Sequence, residues 1–542
     1  MKKIKFINIV LVMCLLISCM AHSGIYAAVP ETPDSTMAIL PPLTHKYVTL
    51  SKSSATLSLG EGILLTATLS SSASTNEISW YSSNTSVATV TNGFVSAISP
   101  GTATITVSYD GPVSQSGTTT DTCVVTVTGN QLFENGTYFF ENAATGNFAN
   151  TNNYSSVNTQ ALSGEMSEKW FLEFKSNGAY YTIRSEQTGG YLIATSTGNA
   201  VTQTSSTSSV GNRFRFMKIG TEKYAIVPVN VGGSTPTVVS LPSSGSSLIS
   251  AAYTSNTDYR DEWEIHRMLP LSGSELDFGM YEWTLDGCEK IEFLNCYAYA
   301  INNQTNRSGN VFFWNDPGCY SNTDISGFEI DPLNNGIIEG ALFNDYNAYN
   351  NNNNTNYIVR IVDQYEQCPQ GTYKIALVIT AYGESNKFDY HWYRQDSDGL
   401  WSHKRGSNDP TREDALGKLI IDPQYANRHY GNYNYTAFVN YYAVTPWNNY
   451  YLAGDEYLSI DEPVMETNLF SVTPMLFSQV KVGMTIDEVY DILGSLGDPI
   501  GSGRLICEYC CSDGSRVCIG YLYNVEKGTL TVYDISNGGL VQ

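Results

Sequence analysis

A chain of 542 residues is too long for one hydrophobic core, and at about 150 residues per domain it suggests three or four. With 52 acidic against 29 basic side chains, a net charge of −23 and a pI near 4.6, it lacks the basic surface that phosphates need, which excludes nucleic acid as a partner. An acidic exterior of this kind suits a secreted protein.

The first 28 residues carry three early lysines, an apolar run too short to span a bilayer with these flanks, and a small-residue exit at Tyr26-Ala27-Ala28. They read as an export signal, with the mature chain beginning near Val29. Leu16-Ile17-Ser18-Cys19 resembles a lipobox, so lipidation of Cys19 is the alternative. Either way the chain is expected outside the cell or on its surface. Residues 29–45, rich in Pro, Thr and Ser, read as a linker. Nine cysteines follow the signal, and an odd number implies at least one unpaired thiol, which Cys296 or Cys123 would supply. Cys507, Cys510, Cys511 and Cys518 lie in strand-like sequence without a nearby histidine, which points to a disulfide or to buried sulfurs and away from zinc.

Residues 46–128 are short alternating strands rich in Ser, Thr and Gly with no helical period, the pattern of a small β-sandwich. The piece ISWYSSNTSVATVTNGFVSAISPGTATITVS resembles the group 2 bacterial Ig-like domain. That resemblance implies a spacer or adhesive module with Trp80 in its core. Between 130 and 268 an internal repeat appears: Tyr138, Tyr181 and Tyr224 are 43 apart, as are Gly146, Gly189 and Gly232. Each repeat closes on an aromatic, Trp170, Phe214 or Trp263. Three such units resemble a ricin-type β-trefoil, which implies carbohydrate binding. The family's Gln-x-Trp is replaced here by Glu168-Lys169-Trp170, Asn212-Arg213-Phe214 and Asp261-Glu262-Trp263, so a purely structural trefoil stays open.

Within 275–448, EFLNCYAYAINN reads as a short apolar segment, a capping Asn and a helix opening on Cys296. A helix N-terminus favours the thiolate and, beside a histidine, can bring a thiol from a pKa of about 8.5 to roughly 3.5–7.5. FDYHWYRQDSDGLWSHKRG reads as a hairpin. A three-residue loop of Ser397, Asp398 and left-handed Gly399 would pair Tyr393 with His403 and put His391 and His403 on one face, whereas a two-residue loop would separate them. Cysteine on a helix start, histidine on a strand and a polar residue on the next strand resemble the NlpC-type branch of the papain-like cysteine hydrolases, an α+β fold. The resemblance implies Cys296 as nucleophile, His391 as base and His403 as the orienting group, with Asp422 as the alternative third member. The Asn344–Asn356 insert, with five consecutive asparagines, reads as a solvated loop. Asp396-Ser397-Asp398-Gly399 lacks the other ligands of a calcium loop, and no metal or cofactor is expected.

An acidic linker (449–474) leads to 475–542, where Thr485 and Glu488 have capping-box spacing and Val489, Ile492 and Leu493 form an apolar stripe before three strands. This unit resembles the BamE/SmpA-like α/β module and implies contact with another protein only loosely. The chain therefore reads as a secreted multidomain protein in which an Ig-like spacer and a lectin-like trefoil bring a cysteine hydrolase to a glycan or cell-wall polymer, with stem peptides of peptidoglycan as one substrate. The competing reading is a non-catalytic, carbohydrate-binding adhesin.

Overall fold

The computed structural model describes residues 45–70, 77–111, 117–229, 235–254, 258–278, 294–304, 315–325, 336–380, 389–406, 408–431, 433–447, 474–493, 498–499, 505–510, 516–524 and 529–537. The export signal with Cys19 and Ala28, most of both linkers, and Gly232, Cys288 and Cys511 lie outside them. Among the described residues no helix is long and apolar enough to cross a membrane.

The first unit is a two-layer sandwich. Ser54–Leu59, Thr120–Gln131, Gly101–Tyr109 and Ile78–Ser82 pair in that order, and Glu61–Leu64, Phe94–Ala97 and Ala88–Thr91 make the facing layer. Alternation drives it: Ala103, Ile105 and Val107 on one strand and Cys123, Val125 and Val127 on its neighbour turn inward and close the core. Trp80, half-buried, packs between the two clusters of this core.

The second unit is a closed barrel. Gly136–Asn142, Trp170–Lys175, Tyr180–Ser185, Phe214–Gly220, Lys223–Pro228 and Trp263–Arg267 pair successively, and the last returns to the first. The pairs Phe148–Asn150 with Asn158–Gln160, Tyr191–Ile193 with Thr202–Thr204, and Thr237–Ser240 with Ile249–Ala252 form three hairpins beside it. Six barrel strands and three hairpins make a β-trefoil. The 43-residue period has a direct meaning here, because Tyr138 sits opposite Trp170, Tyr181 opposite Phe214 and Tyr224 opposite Trp263, all buried. The Phe133 ring stands edge-on to Tyr138, Tyr181, Phe216 and Tyr224 and fills the space between the three repeats.

The third unit is an antiparallel sheet in the order Val359–Val362, Ala437–Val444, Tyr373–Ile379, Tyr390–Gln395, Trp401–Lys404 and Pro410–Thr411, with helices Cys296–Ile301 and Gly336–Asn353 packed on it. The second helix corrects the expectation of a solvated Asn-rich loop. Ile338, Ala341, Leu342 and Tyr346 anchor it in the core, and its asparagines find partners: Asn350 Nδ2 donates to the Tyr357 carbonyl and Asn353 Nδ2 to the Tyr320 hydroxyl. Packing overrides the low helix propensity of asparagine, and the left-handed Asn354 ends the helix.

The trefoil is mounted on the tip of the hairpin that carries both histidines. Leu400 packs with Phe139 and Phe148, and Gln395 Nε2 donates to the Leu269 carbonyl. Gly399 (φ +88°) turns the hairpin, and a Cβ there would come within 2.3 Å of Met268 Sδ, so this position requires glycine twice over. The last unit is a helix, Ile486–Leu493, followed by an antiparallel meander. Its capping box is reciprocal: the Thr485 N–H donates to Glu488 Oε2 (2.7 Å) and the Glu488 N–H to Thr485 Oγ1 (3.2 Å).

Candidate functional site

Asn295 caps the Cys296–Ile301 helix, its side-chain oxygen accepting from the N–H groups of Tyr297 and Ala298, both at 3.1 Å. Cys296 is thus the first helical residue. It packs with Tyr390 and Trp392, and the Trp392 backbone N–H is directed at its sulfur, whereas the intervening His391 alternates to the other face of the strand, its ring against Tyr393, His403 and Tyr435.

The hairpin adopts the three-residue loop. Arg394 pairs with Ser402 and Gln395 with Trp401, so the register places Tyr393 opposite His403. His391 and His403 share a face, with His391 Nε2 and His403 Nδ1 2.7 Å apart. Their tautomers follow from the third partner. His403 Nε2 lies 3.0 Å from the Glu413 carbonyl, which can only accept, so Nε2 carries the hydrogen and the neutral ring's Nδ1 is an acceptor. His391 must then donate through Nε2, which leaves its Nδ1 with a free lone pair. That Nδ1 is buried and has no hydrogen-bond partner among the described residues. The pair is therefore a relay with one unsatisfied basic nitrogen at its end.

Burial dominates the charge states, and the expected thiolate is not what the structure favours. Enclosure raises the Cys296 thiol well above its ordinary range, and the nearby Asp389 carboxylate pushes the same way. The helix spans only six residues, and Asn295 already occupies its first free N–H groups, so its dipole does not offset desolvation. Burial likewise lowers His391 well below the usual imidazole value, helped by His403 and Arg405, and takes His403 down to about 4. At neutral pH the thiol and both imidazole rings are uncharged.

Asp422, the alternative third member, is committed elsewhere. Its carboxylate accepts from the Tyr441 hydroxyl, from Gln364 Nε2 at 2.6 Å and from the Gln424 N–H at 2.9 Å, and it makes no hydrogen bond to His391. Three residues that the sequence did not single out shape the site. Asp389 accepts from the Tyr435 hydroxyl at 2.6 Å, and the Tyr435 ring lies 5.5 Å from that of His391. Asp316 accepts from the Tyr390 hydroxyl at 2.5 Å. Asp345, raised to about 6 by burial, ties Tyr297 to the backbone N–H groups of Gly318 and Ser321 and so fixes the helix against the 315–325 segment. No periodicity marks them, because they act across long sequence separations.

In the trefoil the three positions that replace the Gln of Gln-x-Trp brace the loops. Glu168 accepts from Ser163 and Gly164, Asn212 Nδ2 donates to the Ser206 carbonyl, and Asp261 accepts from Thr254. They are structural in all three repeats. Tyr154, 45% exposed between the first two hairpins, offers an open aromatic face. Glu141, Glu264 and His266 bring three potential ligand atoms within 4.8 Å of one another, but Glu141 is already paired with His266 at 2.9 Å and with Lys418 at 3.6 Å.

Residues 45–129 match the model of the bacterial Ig-like domain (group 2). Over 164 residues the chain is 32% identical to insoluble matrix shell protein 1 of Ruditapes philippinarum, a match spanning 30% of this chain and 86% of that protein. Among solved structures, a designed three-fold symmetric protein, ThreeFoil, is 19% identical over 24% of this chain and 98% of its own (TM-score 0.21). The Rhizoctonia solani agglutinin is 18% identical over 25% and 96% (TM-score 0.21). A GlcNAcα1-4Gal-releasing endo-β-galactosidase of Clostridium perfringens is 15% identical over 32% and 49% (TM-score 0.22).

Proposed function

The chain belongs to the family of the Ruditapes philippinarum insoluble matrix shell protein 1, and we propose that it works outside the cell as a glycan-associated protein: the trefoil holds carbohydrate, the Ig-like domain acts as spacer, and the third unit is a papain-like cysteine hydrolase. The binding role stands on the closed three-lobed trefoil and its exposed Tyr154, since an aromatic face and neighbouring polar groups suit a sugar ring. Because the Gln-x-Trp positions are used inside the fold, contacts to sugar come from the outer hairpins.

The catalytic role is carried by one observation, the 2.7 Å bond between His391 and His403 that leaves His391 Nδ1 as a bare base. In the proposed reaction Nδ1 takes the Cys296 proton and the sulfur attacks an amide carbonyl. The resulting imidazolium protonates the departing amine, and water then cleaves the thioester. His403 fixes the tautomer throughout. A binding-only reading is favoured by a different fact, the complete burial of Cys296 with its raised thiol.

Two measurements separate the readings. Digestion of purified peptidoglycan, followed by mass spectrometry, is expected to release stem-peptide fragments with the native chain and none with Cys296→Ala; equal release from both would end the catalytic proposal. A glycan array is expected to show retention that Tyr154→Ala weakens. Silence of the array would remove the lectin role while leaving the fold intact.

A further inference from the structure

Behind the histidine pair lies a cavity of about 320 Å³, at the lower end of the size range of small-molecule sites. Tyr430 forms one wall: its hydroxyl is 3.4 Å from His403 Nε2, and the Arg405 guanidinium lies over its ring, 4.5 Å from the centroid. Among the described residues no carboxylate pairs with Arg405 and no cation pairs with the Glu413 side chain, although both line this cavity. Asp414, the other acid there, is already engaged: its oxygens accept from the backbone N–H groups of Leu416, Lys418 and Asn427. The half-buried Arg405 and the exposed Glu413 thus line a shared space without joining each other or any other charged side chain among the described residues.

We propose that this cavity binds a zwitterion of amino-acid size, with its carboxylate on Arg405, its amine on Glu413 and its carbon chain against the Tyr430 ring. A guanidinium offers two parallel donors to a carboxylate, and charge-assisted bonds at both ends favour a ligand bearing both groups over one bearing either. Binding does not require Cys296 to react, so the proposal is independent of the hydrolase reading.

The full chain is to be titrated calorimetrically with 4-aminobutyrate, butyrate and butylamine. The expected result is an affinity for 4-aminobutyrate about tenfold or more above either singly charged analogue. Arg405→Gln is expected to reduce it to the butylamine level and Glu413→Gln to the butyrate level. The Glu413 backbone carbonyl that holds His403 is untouched by that change, and an unaltered thermal unfolding curve verifies that each variant is folded. Cys296→Ala is expected to bind as the native chain does. Equal affinity for 4-aminobutyrate and butyrate, binding unaffected by either substitution, or no heat with any of the three ligands would overturn the proposal.

Discussion

Acidification is the sharpest probe of the histidine relay. His403 is an acceptor at Nδ1 only while it is neutral. Once protonated it presents an N–H to the His391 Nε2–H, and two donors then face each other across 2.7 Å. The sign of the stability effect follows from the shift. An imidazole titrates at 6.5 in the unfolded chain and, by burial, at about 4 in the folded one, so between those values the unfolded state binds more protons and stability falls as pH falls. From 6.5 down to about 4 the lost stabilisation is about 3 kcal/mol for His403. The assay is urea unfolding of the native chain and of His403→Asn across pH 7 to 4, following amide exchange in the Tyr390–Gln395 strand. Asparagine keeps one acceptor and one donor but does not titrate, so its curve should be flatter by about that amount. Nitrogen NMR of histidine-labelled protein should show His391 Nδ1 unprotonated at pH 7. Parallel pH profiles for the two proteins, or a proton on that Nδ1, would refute the tautomer argument.

Trp170→Ala should cost the trefoil about 3–5 kcal/mol, the usual range for losing a buried large aromatic. Trp170→Phe should cost less, because Phe214 fills the equivalent place in the next repeat, but not nothing, because Trp170 Nε1 donates to the Ala149 carbonyl at 2.9 Å; exchange protection of the barrel amides is the readout, and equal losses for the two changes would contradict the repeat geometry. For Cys296, the raised thiol implies slow alkylation at pH 6 in the native chain and rapid alkylation at higher pH in urea. Fast native labelling at pH 6 would show that the sulfur is exposed and ionised.

The features that were legible in the sequence are those written in local spacing. Ser397-Asp398-Gly399 marked the hairpin turn but left two registers open, of which the structure takes the three-residue loop that brings His391 and His403 together, and the 43-residue period carried the trefoil because each aromatic faces its own tyrosine. Thr485 and Glu488 encoded their cap in a four-residue window. What escaped depends on three dimensions. The charge state of Cys296 is decided by enclosure and by Asp389, nearly a hundred residues away. Asparagines that look like solvent-facing loop become helix because Ile338, Leu342 and Tyr346 need a surface to cover. The roles of Asp316 and Asp345 exist only once distant segments have met.

The junction between the first two units bears on how the protein would carry load. Phe216 and Met217 of the barrel pair in parallel with Glu61 and Gly62 of the sandwich, and the Leu132 N–H donates to the Leu59 carbonyl just where the chain crosses over. Tension applied at the sandwich therefore enters the barrel through hydrogen bonds as well as through the covalent thread. Bonds lying across the direction of pull must shear together, whereas a coil would simply straighten. The sandwich is thus tied to the barrel by backbone pairing as well as by the covalent chain, which restrains the angle between the two units.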